Sequence, residues 1–100
     1  MGQAVVLTEQ SGKAEADIVA VQDYEGFASI AAFLVQIKGA EILSRTDGPE
    51  SRVWEFVLEG KQLTLTNNPY GNTLKARAAE ANALVVALAE DLEQRLSGVA

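Results

Sequence analysis

The sequence predicts an α+β domain in which an antiparallel sheet carries two helices packed mainly on one face. Short apolar or alternating segments separated by turn residues indicate strands, and two longer segments repeat apolar residues at helical spacing. Read along the chain, these segments give the order ββαβββα. The length of 100 residues and the 48% hydrophobic content indicate a single compact domain over residues 1–100.

The first two strands are predicted to form a hairpin. Residues 4–8 are apolar and β-branched, residues 10–13 are polar and turn-like, and residues 17–22 contain the run Ile-Val-Ala-Val. Both faces of that second segment are apolar, so its register is open and we expect it inside the sheet.

The first helix is predicted to begin after Asp23, whose carboxylate can cap its N-terminus, and to end at Lys38 and Gly39. The stripe of apolar residues along it consists of Phe27, Ile30, Ala31, Leu34 and Ile37. Phe33 falls off this stripe, which leaves two interpretations: a lateral contact with the sheet, which we favour, or an exposed aromatic at an interface.

Three further strands are predicted to form a meander over residues 40–45, 53–58 and 63–66. In the middle strand Trp54, Phe56 and Leu58 alternate with aliphatic and charged residues, so the three lie on one face. We therefore expect Trp54 at the centre of the core. Glycine in the Gly60-Lys61 turn favours type II′.

A second helix is predicted to start at Asn72 and to run for about six turns. Its stripe consists of Leu74, Ala78, Ala81, Val85, Leu88, Leu92 and Leu96. Three acidic residues, Glu90, Asp91 and Glu93, lie near Arg95 and are interpreted as a solvated face of this helix.

Composition excludes several kinds of chemistry. The chain has no cysteine and no histidine, which removes thiolate ligands and the commonest general base. We expect no catalytic residue, no metal and no cofactor. With 14 acidic and 8 basic residues, a net charge of −6 and scattered cations, it is not expected to bind nucleic acid. No apolar run suits a membrane span or a secretory signal, so a cytoplasmic location is expected.

The loop of residues 67–71 and the predicted helix start are the candidate recognition site. Its residues are Asn67, Asn68, Tyr70, Asn72 and Lys75. Asparagine amides can present donors and acceptors, and Tyr70 can project a flat ring. The competing interpretation is a rigid connector made of ordinary turn residues.

Two classes of function stay open on the sequence. The favoured class is a non-enzymatic protein-interaction or regulatory module, with a homodimer as one form that it can take. The alternative is a binder of a small anionic ligand, or an unusual enzyme. In that alternative the positive end of the predicted helix and the cation of Lys75 hold a carboxylate or phosphate.

Overall fold

The computed structural model describes residues 4–97 and confirms the predicted α+β class. The strands are β1 (Val5–Gln10), β2 (Lys13–Ile18), β3 (Glu41–Asp47), β4 (Arg52–Leu58), β5 (Lys61–Asn68) and β6 (Gly71–Ala76). The helices are α1 (Tyr24–Ala32), continued by a π-helical turn (Phe33–Ile37), and α2 (Asn82–Leu96), preceded by a 3-10 turn (Ala79–Ala81). The sheet face packed against α1 and α2 is called the inner face, and the other the outer face.

All six strands are antiparallel, in the order β1-β2-β6-β5-β4-β3. The predicted hairpin and meander are both present, and β6 joins them at the centre of the sheet. The sequence prediction of a helix from Asn72 is wrong at this point. Asn72, Leu74 and Ala76 are buried on the inner face while Thr73 and Lys75 alternate with them on the outer face, which is strand periodicity.

The second strand also lies elsewhere than predicted, at Lys13–Ile18 instead of 17–22. Its inner positions are Ala14, Ala16 and Ile18, which are buried and alternate with charged residues. This alternation satisfies the period of a strand with one buried face even though alanine has a low strand propensity.

Two tight turns close the hairpins β1–β2 and β4–β5. Ser11 and Gly12 have φ of 54° and 78°, and Glu59 and Gly60 have φ of 55° and 76°. Two successive positive φ values define the type I′ turn, whose twist matches that of antiparallel strands. The predicted type II′ turn at Gly60-Lys61 is therefore wrong in both type and position.

The centre of the core is Phe27 of α1 and Phe56 of β4, both fully buried. Trp54 points to the inner face as predicted, but it lies at the rim of the core and is only partly buried. Its ring meets Phe27 edge-on at 4.9 Å, and its Nε1 donates to Asp47 Oδ1 at 2.9 Å. The expectation that Trp54 is central is corrected, because edge strand β3 places polar neighbours beside it.

The π-helical turn changes which side chains of the first helix are buried. Asp23 caps α1 as predicted, accepting from Gly26 N at 2.8 Å. Further along, Lys38 N bonds to Phe33 O, a step of five residues instead of four. The wider turn rotates the last side chains, so Phe33 is 7% exposed and belongs to the core, whereas Ile37 is 58% exposed. The predicted place of Ile37 on the buried stripe is wrong.

Polar side chains of α2 form ion pairs and hydrogen bonds with neighbouring segments. Asp91 pairs with Lys38 and with Arg95, each at 2.6 Å, and these two cations hold the pKa of the Asp91 carboxyl below its ordinary value. On the opposite side of the helix, Glu93 Oε1 accepts from Ala4 N at 2.9 Å. The acidic residues of this helix are therefore partly structural and not only a solvated face.

Candidate functional site

The β5–β6 hairpin ends in the two-residue turn Pro69-Tyr70, between the paired residues Asn68 and Gly71. Proline fixes its own φ, and Asn68 Oδ1 accepts a hydrogen bond from Tyr70 N at 2.8 Å. The side chain of Tyr70 is 92% exposed. The backbone of the turn is thus held by local bonds while its aromatic ring projects into solvent.

Two buried asparagines anchor the hairpin directly below this turn. Asn67 and Asn72 form a cross-strand pair on the inner face, and Asn67 Nδ2 donates to Asn72 Oδ1 at 2.6 Å. The Asn72 amide also donates to Val21 O at 2.9 Å and to Asp23 O at 3.1 Å. These bonds tie the hairpin to the segment that enters α1, and the bond to Val21 O satisfies a carbonyl that belongs to no strand.

Gly71 lets the hairpin and the β2–α1 segment approach each other. Its φ is +133°, which disfavours any residue with a side chain, and a Cβ there would stand 3.4 Å from Gln22 Cγ. A shallow cavity of about 240 Å³ lies at this junction, with Val19, Gln22 and Tyr70 among its walls. On its outer side, Thr73 Oγ1 donates to Asp17 Oδ1 at 2.9 Å.

The predicted anion site at a helix N-terminus is not formed. Residues 71–76 are strand β6, and α2 begins at Asn82, so the helix that was predicted to start at Asn72 does not begin at the turn. Lys75 lies on the outer face, opposite Glu15 of β2 and Thr64 of β5. Four residues of strand separate it from Gly71, about 13 Å. The second helix therefore does not supply the dipole that was expected to hold a carboxylate or phosphate beside Lys75.

The five predicted site residues divide into three groups. Asn68 and Tyr70 form the exposed tip, Asn67 and Asn72 are buried beneath it at 8% and 2% exposure, and Lys75 is remote. Sequence reasoning missed Val19 and Gln22, which reach the tip only because β2 pairs with β6. No local signal marks them, since the contact depends on the strand order.

Within residues 4–97, no three acidic side chains gather as metal ligands would. No helix in this part of the chain has the length and apolar character needed to cross a membrane.

The fold and the site together define a small α+β domain whose antiparallel sheet presents a rigid turn with a projecting tyrosine. A family model described as "Protein of unknown function (DUF3630)" matches residues 7–94, from β1 into α2. The chain belongs to this family. No curated protein and no solved structure matches it.

Proposed function

We propose that this domain is a non-enzymatic protein-interaction module and that the tip of the β5–β6 hairpin makes the contact. The observation that carries the proposal is the 92% exposure of Tyr70 on a turn that Asn68 and the buried asparagine pair hold in place. A large ring with this exposure contributes little to the fold. The ring is therefore available for contact with a partner.

A protein surface is the partner class that fits this ring best. Tyrosine combines a large apolar area with a polar tip and has few rotatable bonds, so burying it costs little conformational entropy. Tyrosine is accordingly enriched among the residues that dominate binding energy at protein interfaces. Because the turn is already ordered, a partner does not have to order it on binding, which favours affinity.

The surroundings of the tip add a receiving surface beside the ring. Val19 is 38% exposed and lies with Gln22 and Tyr70 in the shallow cavity. An apolar side chain of the partner can pack on Val19 while its backbone bonds with the amide of Gln22. The partner can be a different protein or a second copy of the chain, and sedimentation velocity over a range of concentrations tells the two apart.

The proposal predicts that Tyr70→Ala separates binding from stability. We expect its free energy of unfolding to stay within about 0.5 kcal/mol of the wild type, while the amount of specifically captured partner falls at least tenfold. The measurement is a urea titration, combined with quantitative affinity capture from a lysate of the source cells. If the partner is a second copy, the wild-type dimer dissociates in the variant.

Tyr24→Ala is the matched control. Tyr24 is 48% exposed, but it carries Arg52 over its ring at 3.9 Å and stacks on Phe27. Its replacement is expected to cost stability and to leave capture unchanged. A Tyr70→Ala variant destabilised by more than about 1 kcal/mol with the same captured proteins would contradict the proposal.

A further inference from the structure

The two edge strands of the sheet differ in how they are protected against pairing with another strand. β3 has a bulge between Ile42 and Ser44, and charged residues lie at both of its ends. Bulges and charges are the usual devices that keep an edge from accepting a further strand. β1 is a regular strand of six residues without a bulge or a proline, and Glu9 is its single charged residue.

The register of β1 shows which of its backbone groups face outward. Gln10 and Lys13 close the two-residue turn and so form a hydrogen-bonded pair. Counting from Gln10 towards the N-terminus, every second residue of β1 bonds to β2 through its backbone. The residues between them, Leu7 and Glu9, turn their N–H and C=O groups to the free edge. Val5 has the same phase, and its N–H accordingly turns away from β2 and donates to Glu93 Oε1 at 3.0 Å.

A groove of about 550 Å³ runs between this edge and α2. Val5, Leu7 and Ala89 give it an apolar floor, with Leu7 43% exposed. Glu90 and Glu93 are its charged residues, and none of the described residues that line it is a lysine or an arginine. Glu9 adds a further carboxylate on the inner side of the same edge.

We infer that β1 accepts an extended segment of another protein as a seventh strand, and that this segment alternates basic and β-branched residues. Strand addition satisfies the free backbone groups of Leu7 and Glu9. Side chains on the inner face of the added strand would lie over the groove. A lysine there can pack its methylenes on Leu7 and Ala89 and carry its ammonium to Glu90.

The charges of the edge decide between possible occupants. A second copy of this chain pairing through β1 would bring a second set of the same carboxylates against Glu9, Glu90 and Glu93, in a chain that already has a net charge of −6. A basic segment meets the opposite sign. The inference does not rest on the function proposed for the hairpin tip, because the two surfaces share no residue.

A fluorescent hexapeptide of alternating lysine and valine is the probe, measured by fluorescence anisotropy on the full chain. Saturable binding that weakens with added salt is expected, and an alternating glutamate and valine peptide should not bind. Two N-methylated peptides test strand pairing: one is methylated at the lysine amides and the other at the valine amides. Each therefore lacks the N–H donors along one edge of the strand and can pair only through its other edge. One of these two peptides should bind at least tenfold more weakly than the parent. Equal binding of both methylated peptides and the parent, or no binding of the parent, would overturn the inference.

Leu7→Lys and Leu43→Lys form a matched pair of variants, since the two leucines are 43% and 49% exposed on opposite edges. Leu7→Lys should weaken the lysine and valine peptide at least tenfold, and Leu43→Lys should change it less than twofold. Equal effects of the two variants would refute an assignment to β1. If the wild-type chain is a dimer that Leu7→Lys dissociates and Leu43→Lys does not, the β1 edge pairs with a second copy of the chain. That result would also overturn the inference.

Discussion

Replacing Phe27 by alanine is expected to lower the free energy of unfolding by about 3 to 5 kcal/mol. Phe27 is fully buried where α1 meets the sheet, and its ring supports Trp54 edge-on at 4.9 Å. Removal of the ring leaves a cavity and also removes the edge-on aromatic contact of Trp54. A urea titration followed by circular dichroism measures the loss.

Trp54→Ala is the companion variant for Phe27→Ala. Its cost should be smaller, about 2 kcal/mol, because the indole is only partly buried at the rim and Arg45 covers its other side. A larger cost for Trp54→Ala than for Phe27→Ala would restore Trp54 to the centre of the core and contradict the packing described above.

Asn72→Ala should be the most costly change at a polar residue, about 3 kcal/mol. Asn72 is 2% exposed, and its amide joins Asn67 to the carbonyls of Val21 and Asp23. Alanine would leave the Asn67 amide and the Val21 carbonyl without these partners, while the Asp23 carbonyl keeps its bond from Phe27 N at 3.0 Å. Each polar group that loses its partner costs energy in an apolar surrounding. The loss is measured by thermal and urea unfolding.

Asn68→Ala is the matched asparagine control for Asn72→Ala. Its carboxamide makes one exposed hydrogen bond, to Tyr70 N, so the loss should be under about 1 kcal/mol. The double variant Asn67→Ala/Asn72→Ala should cost less than the sum of the two single variants, because their side chains bond to each other. Additive losses would show that the pair is not an energetic unit.

Much of the fold follows from local patterns in the sequence. The alternation around Phe56, the cap at Asp23 and the helical spacing after Phe27 each predict the element that is observed. These signals work because they depend only on neighbours along the chain. The α+β class and the antiparallel sheet follow from them.

The central strand could not be predicted in the same way. Leu74 and Ala78 have helical spacing with the later leucines, and the stretch from Gly71 also alternates as a strand, so the pattern is ambiguous. The strand is favoured because β6 lies between β2 and β5 and forms backbone hydrogen bonds with both. Such a tertiary gain overrides local propensity.

The positions of the candidate site residues in the fold could be predicted only in part. Tyr70 and Asn68 stand out because proline and asparagine mark a turn whatever follows it. The burial of Asn67 and Asn72 depends on their being a cross-strand pair, and the role of Lys75 depended on a helix that is not there. Residues placed by strand order carry no local mark in the sequence.

The most direct test of the hairpin tip as a contact surface is site-specific photo-crosslinking in living cells. A benzophenone analogue of phenylalanine is placed at position 70 in one chain and at position 59, in the type I′ turn at the other end of β5, in a second chain. Both positions are exposed, so they differ in place and not in access. We expect a discrete heavier adduct from position 70 and none from position 59. No adduct from position 70, or the same set of adducts from both positions, would contradict the account.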